Sequence, residues 1–298
     1  MRDINRILCP VDLSDVSQHA IEHAVVLAQW YDAKITALHI SNPIVIPSTD
    51  FTVTGTTPVA TLTQEEIDGI AAQVRASFAA AQAADVDVIV DSGHAANRIV
   101  ERAKSLSADL VVMGTHGAGG FEHLVLGSVT EKVLRKAGCP VLTVPPRTRA
   151  TSKLPFKRII CPVDFSDSSL AALDFAFSLA QEGEAELTIL HVFEWLPADE
   201  ALTNRPIDVP EYRREVEHDF AAKLQQLVPD SVRTWCRPTT RIGHGKPYRE
   251  ILGVASEDSA DLIVMGIHGR NALDLMLFGS TTNQVVRRAT CPVLTLRR

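Results

Sequence analysis

The sequence repeats itself once, and this repeat constrains the fold more than any other feature. The segment CPVDLSD at 9–15 returns as CPVDFSD at 161–167, and 161 minus 9 gives an offset of 152. The same offset relates CPVLT at 139–143 to CPVLT at 291–295, so one register holds from end to end. A duplicated domain is therefore predicted, with copies in residues 1–147 and 156–298 and a polar, proline-bounded linker in residues 148–155.

Short apolar runs alternate with amphipathic stretches within each copy. Such runs are typical of strands covered on both faces, and their alternation with helices predicts parallel strands joined by crossovers. Each copy is thus predicted to be an α/β, Rossmann-like doubly wound domain with a five-stranded parallel sheet. In the first copy the predicted strands are 7–10, 35–40, 86–90, 110–114 and 141–144, and the predicted helices are 17–30, 63–84, 97–106 and 128–136.

Composition excludes several classes of function. The 29 basic and 36 acidic residues give a net charge of −7, which argues against a broad nucleic-acid surface. No apolar run approaches the roughly 20 residues of a membrane span, and the start of the chain does not resemble a signal peptide. The five cysteines are widely spaced and form no C-x-x-C pair. These observations predict a cytoplasmic protein with no membrane partner, whose cysteines are small buried side chains.

A glycine-bearing loop follows the fourth predicted strand of each copy. In open parallel sheets, ligands bind beyond the carboxyl ends of the strands, where the strand order reverses. The loop of the first copy begins at Gly114 and ends at Gly127, where Ser128 is predicted to cap the next helix. Glycines let the backbone approach an anion closely, and the free amides at a helix start hold phosphate oxygens. The loop therefore predicts a polyphosphate site.

Two familiar phosphate motifs do not describe this loop. The P-loop requires a serine or threonine after Gly-Lys, but the pair at 245–246 is followed by Pro247. The dinucleotide motif requires a third glycine at the position of Glu122, and it follows the first strand of its sheet instead of the fourth. Neither familiar nucleotide-binding fold is therefore expected in its usual form.

The pattern G-x2-G-x9-G-S fits both copies and resembles the universal stress protein family in its tandem form. Flanking segments that also resemble the family are VDLS and VDFS after the first strand, and ADLVVMGTHG and ADLIVMGIHG at the fourth. The resemblance covers essentially the whole chain. The residues that fill the glycine pattern are Gly114, Gly117, Gly127 and Ser128, and then Gly266, Gly269, Gly279 and Ser280.

The resemblance implies an ATP site in each copy, with Mg²⁺ or Mn²⁺ held mainly by the phosphates and without a protein metal cluster. On the adenosine side it implies Pro10, Val11, Asp12 and the backbone of Ile40, and their counterparts Pro162, Val163, Asp164 and Val192. On the ribose and phosphate side it implies the glycine-pattern residues with His116, Val129, His268, Arg270 and Thr281. Arg270-Asn271-Ala272 replaces Ala118-Gly119-Gly120, so equal affinity of the two sites is not implied.

Each of these residues also has a purely structural interpretation. Asp12 and Asp164 could organise the turn into the following helix, and the glycines could serve tight turns alone. His116 and His268 have no nucleophile or carboxylate paired with them in sequence, which favours a structural or ligand-facing role over catalysis. His39 and His191, at strand ends, are predicted to satisfy the backbone.

Three functions remain open from the sequence. The first is an ATP-binding stress-response protein that acts through nucleotide-dependent conformation or association. The second is an interaction module without nucleotide, and the third is a slow ATPase. The resemblance further implies a homodimer and pairing of the two copies within the chain. The polar segments 41–61 and 194–210 are interpreted as flaps over the adenine or as plain solvated insertions.

Overall fold

The computed structural model describes residues 4–41, 44–45, 59–60, 62–117, 126–146, 156–194, 209–236, 238–268 and 279–297. The chain divides into two compact units, Asp3–Pro146 and Arg147–Arg298, the latter grouped with Met1–Arg2. The predicted linker at 148–155 lies outside the described residues. So does most of each predicted flap, at 42–43, 46–58, 61 and 195–208.

The first unit alternates strands and helices as the sequence predicts. Its strands are β1 (Arg6–Val11), β2 (Lys34–Ser41), β3 (Ile44–Val45), β4 (Val59–Ala60), β5 (Asp87–Ser92), β6 (Leu110–Gly114) and β7 (Val141–Val144). Its helices are α1 (Ser17–Tyr31), α2 (Gln64–Ala80), α3 (Ala95–Ser105) and α4 (Ser128–Lys136). The main sheet is parallel in the order β5-β2-β1-β6-β7, and β3 and β4 form a separate two-residue antiparallel pair.

The second unit has the same sheet. Its strands are β8 (Arg158–Pro162), β9 (Glu186–Phe193), β10 (Thr239–His244), β11 (Leu262–Gly266) and β12 (Val293–Leu296). Its helices are α5 (Asp167–Gly183), α6 (Val209–Gln226), α7 (Asp230–Arg233), α8 (Pro247–Glu257) and α9 (Ser280–Arg288). The order β10-β9-β8-β11-β12, again all parallel, repeats that of the first unit. Two doubly wound α/β sheets are therefore confirmed.

The repeated A-D-L segment fixes the central strands at their amino ends. The Asp109 carboxylate accepts hydrogen bonds from the backbone amides of Asn5 and Arg6, both at 2.9 Å. Asp261 does the same for Lys157 and Arg158, at 2.8 and 3.0 Å. Each carboxylate therefore joins the two strands between which the strand order reverses, and this places the crevice at their opposite, carboxyl ends.

The apolar runs form the core because helices cover both faces of each sheet. Leu8, Val111 and Val264 are completely buried at the strand centres. Helix α2 ends four residues before the predicted Ala84, because Gln82 adopts a left-handed φ of 66° that an α-helix does not allow. Its start at Thr63 is fixed by a capping box with Glu66.

All five cysteines are free, and three of those that precede proline are buried at strand ends or next to them. Burial raises the pKa of the Cys9 thiol to about 12. Burial also raises the pKa of Cys291 to about 12, with a further rise from the charge of Asp261. The interpretation as small buried side chains is confirmed for Cys9, Cys161 and Cys291, whereas Cys139 is half-buried.

Candidate functional site

The site begins at the turn that follows β1. Asp12 is exposed, and its Oδ1 accepts hydrogen bonds from the Ser14 amide at 3.1 Å, the Ser14 hydroxyl at 2.6 Å and the Ser17 hydroxyl. Leu13 between them has a φ of 60°, so the chain turns sharply at the strand end. Asp12 therefore organises the turn, as its structural interpretation predicts, and its carboxylate stays at the mouth of the crevice.

The same turn recurs after β8 with one difference. Asp164 Oδ1 accepts from the Ser166 amide at 3.0 Å and the Ser166 hydroxyl at 2.5 Å. Ser166 also caps α5 by accepting from the Ser169 amide at 3.3 Å. Helix α1, in contrast, has no side-chain cap at its N-cap residue Val16.

The glycine-bearing loop returns to the crevice beside Asp12. An added Cβ at Gly117 would lie 2.7 Å from Asp12 Oδ2, and one at Gly127 would lie 3.1 Å from the Thr115 carbonyl oxygen. The Gly127 amide donates to that same oxygen at 2.9 Å. A side chain at Gly117 would displace the Asp12 carboxylate, and one at Gly127 would crowd the Thr115 carbonyl, so both positions favour glycine. The described ends of the loop, 114–117 and 126–127, thus pack against Asp12 and against each other, which gives Gly117 and Gly127 a structural explanation.

Helix α4 begins at the end of this loop. Gly127 is its N-cap and Ser128 its first residue, and no side chain caps it, so the predicted capping by Ser128 is wrong. The reason is geometric: Ser128 already has helical position N1, whereas a capping oxygen must come from the residue before it. Ser128 is exposed, and the first amides of α4 have no side-chain cap.

A threonine that the sequence analysis did not single out holds the helix start to the strand end. The Thr130 hydroxyl donates to the Gly114 carbonyl at 2.9 Å, and the Thr282 hydroxyl donates to the Gly266 carbonyl at the same distance. Both threonines are buried. The signal was available in the sequence, since GSVT and GSTT place a threonine at the same position of both copies.

The predicted role of the strand-end histidines is confirmed. His39 Nδ1 lies 3.0 Å from the Val11 carbonyl oxygen, and His191 Nδ1 lies 2.7 Å from that of Val163. Each ring therefore joins the ends of two neighbouring strands. Ile40 and Val192, whose backbone was expected on the adenosine side, directly follow these histidines.

The loop histidines lie deeper than an exposed catalytic base would. His116 Nδ1 is 2.9 Å from the Thr115 hydroxyl, which orients its ring. The ring nitrogens of His268 are buried and have no hydrogen-bond partner within the described residues. Gly269 and Arg270 of the predicted second site, and 118–120 of the first loop, lie outside the described residues.

A cavity of about 330 Å³ opens beside the first site. It is lined by the end of β1, the turn that follows, the first residues of α1 and Ser77 of α2. In the described part of the chain no group of three or more His, Cys, Asp or Glu side chains is arranged to hold a metal ion. None of the described helices is long and apolar enough to cross a bilayer.

Comparison with known proteins shows which family has this sequence and fold. The model of the universal stress protein family matches residues 3–145 and again residues 155–297. The chain belongs to the universal stress protein family. Because the model matches twice, it is a tandem universal stress protein.

Similar universal stress proteins occur in tandem and single-domain forms. A universal stress protein of Mycolicibacterium smegmatis is 28% identical over 297 residues, which are 98% of this chain and 96% of that one. The universal stress protein YxiE of Bacillus subtilis is 34% identical over 147 residues, which are 48% of this chain and 99% of YxiE. The crystal structure of a universal stress protein from Archaeoglobus fulgidus has a TM-score of 0.64 at 24% identity, covers 99% of this chain and 97% of its own, and supports the fold.

Proposed function

We propose that this tandem universal stress protein binds ATP or a related adenine nucleotide, and that it acts in the stress response through nucleotide-dependent conformation or association. The observation that carries the proposal is the uncapped start of α4 in the crevice at Asp12. Its amides have no intrahelical partner, and the helix dipole adds partial positive charge there. Such a helix start accepts phosphate oxygens in a protein of net charge −7.

The two ends of the crevice match the two ends of a nucleotide. Ser128 and Val129 at the helix start would hold the phosphates, and the Ser128 hydroxyl would add a donor. The Asp12 carboxylate, as an acceptor, would bind a ribose hydroxyl or the amino group of adenine. Mg²⁺ or Mn²⁺ would bind mainly to the phosphates, whose oxygens are the ligands that these cations prefer.

Fast turnover is not part of the proposal. A general base must lie within hydrogen-bond reach of the attacking water, and the ring of His116 is instead oriented by the Thr115 hydroxyl. We therefore expect phosphate release to stay below a single turnover per bound nucleotide during a binding experiment. Sustained release would favour the slow-ATPase alternative. We further propose a cytoplasmic location, since all five cysteines are free.

Thermal unfolding with and without ATP and magnesium tests the proposal. At 100 times the dissociation constant, binding stabilises its unit by about 2.7 kcal/mol, which raises the Tm of a domain of this size by about 5–10 °C. Gly127→Val fills the space at the helix start and should abolish the shift. Ser128→Ala removes one donor and should weaken binding about fivefold, equivalent to about 1 kcal/mol.

Gly138→Val is the matched control, because Gly138 lies in the same unit with nothing within 4 Å of an added Cβ. It should keep the full shift. Absence of any shift with the wild-type protein would reject nucleotide binding and favour the interaction-module alternative. A shift that survives Gly127→Val would place the nucleotide elsewhere.

A further inference from the structure

The second unit carries a cluster of four rings at the carboxyl ends of β8 and β9. His191 is buried and stacks on Phe220 of α6, with centroids 4.6 Å apart and an angle of 26° between the rings. Phe165, directly after Asp164, lies 4.9 Å from His191, and Phe193 lies 5.2 Å from Phe220. His191 and Phe193 flank Val192 in sequence. Phe165 belongs to the turn at Asp164, and Phe220 belongs to α6. They therefore fill the region where the base of a nucleotide would lie.

The first unit has smaller side chains at the corresponding places. The 152-residue offset relates Leu13 to Phe165 and Ser41 to Phe193. The 152-residue offset is not kept along α2 and α6. Aligning the completely buried Val74 and Leu224, which are 150 residues apart, pairs Ile70 with Phe220. Of these four positions, only that of the histidine carries the same residue in both units, as His39 and His191. His39 is half-buried. The cavity of about 330 Å³ lies on the side of Val11 and Leu13 that faces α1 and Ser77 of α2.

The phosphate side of the second crevice is also narrower. Ser168 occupies the position of Val16, and its hydroxyl donates to the His268 carbonyl oxygen, which the Ser166 hydroxyl also reaches at 3.3 Å. An added Cβ at Gly266 would lie 2.7 Å from the Ser168 backbone carbon. At Gly114 the Val16 carbonyl oxygen is 3.9 Å away. The backbone before and at the first turn of α5 thus lies closer to the end of β11 than the corresponding backbone at α1 lies to the end of β6.

We infer that the chain binds one adenine nucleotide, in the first unit, and that Phe220 and Ser168 close the second crevice to it. This inference rests on the proposed function and adds which unit binds. In the second unit the protein's own rings then occupy the place that the base takes in the first unit. Lys223, 5.0 Å above the Phe220 ring, further fixes that ring by a cation–π contact.

Equilibrium dialysis of the full chain against ATP and magnesium measures the number of sites directly. We expect one nucleotide per wild-type chain, at least tenfold weaker binding in Gly127→Val, and unchanged binding in Gly138→Val. Two nucleotides per wild-type chain would overturn the inference and leave the proposed function intact. One nucleotide that remains in Gly127→Val would also overturn it. No bound nucleotide would reject the proposed function and with it this inference.

Residue exchange between the units tests the mechanism. Phe220→Ile with Ser168→Val puts side chains of the first unit at the two positions inferred to close the second crevice and should add a second bound nucleotide. Ile70→Phe with Val16→Ser does the reverse and should weaken binding at least tenfold, with circular dichroism to check that both variants are folded. If the first exchange adds no bound nucleotide, Phe220 and Ser168 do not close the second crevice. If it weakens binding, the rings stack on the base and the inference is wrong.

Discussion

Gly266 offers a sharp test of the packing at the second crevice, because Gly114 provides a matched position in the first. In Gly266→Ala the new Cβ would lie 2.7 Å from the Ser168 carbon and 2.8 Å from its carbonyl oxygen. Both atoms are backbone, so α5 must shift away from β11. Overpacking of this kind typically costs about 1–3 kcal/mol. In Gly114→Ala the nearest atom, the His116 carbonyl oxygen, is 3.2 Å away and must move by a few tenths of an ångström.

The two substitutions should therefore differ in effect. Gly→Ala gains about 0.4–1 kcal/mol from the reduced entropy of the unfolded chain, which offsets the small strain at Gly114. We expect Gly114→Ala to be near neutral and Gly266→Ala to lower the Tm by about 2–4 °C for each kcal/mol lost. Differential scanning calorimetry measures the loss, and hydrogen exchange shows whether it falls on the second unit. Equal losses in both variants would refute the closer packing of α5 on β11.

Three further predictions follow from the described contacts. Thr130→Val removes the hydrogen bond to the Gly114 carbonyl and should lower the free energy of unfolding by about 1 kcal/mol in urea titrations, whereas an unchanged value would contradict its anchoring role. Burial raises the pKa of Asp91, but hydrogen bonds from Arg102 and the Ser92 amide and the nearby arginine charges outweigh it and leave the pKa below its usual 3.8. Arg102→Ala should therefore cost about 1 kcal/mol at pH 7 and progressively less as the pH falls below about 4, and a loss independent of pH would count against the ion pair. Since the folded pKa of the Cys9 thiol is about 12 against an ordinary 9.0, stability should fall as the pH rises above 9, and mass spectrometry should find no alkylation of Cys9 at pH 8 without urea.

The fold could be predicted because its determinants are local and occur twice. Parallel strands buried on both faces leave near-continuous apolar runs, and the 152-residue register shows that two such sheets exist. The end of α2 was misplaced, because the apolar pattern continues past the point where Gln82 takes a left-handed φ. Periodicity detects a buried face, but it does not detect a backbone turn made by an ordinary residue.

The candidate site could be predicted in position but only partly in detail. Strand ends and glycines placed the crevice at Asp12 and Gly127. The reason for the glycines was only partly foreseen, since their missing Cβ atoms accommodate the protein's own Asp12 carboxylate and Thr115 carbonyl. The ring cluster could not be predicted from the repeat, because Phe220 lies beyond a segment in which the two copies differ in sequence, and its contact with His191 depends on the docking of α6.

A nuclear magnetic resonance titration with ATP and magnesium tests the central claim most directly, because it observes the backbone amides proposed to hold the phosphates. The account predicts that the amide resonances of Ser128 and Val129 shift strongly and saturably, while that of Gly138, two residues beyond the other end of α4, stays in place. Saturable shifts confined to residues outside the crevice, or no shifts at nucleotide concentrations well above those in cells, would contradict it.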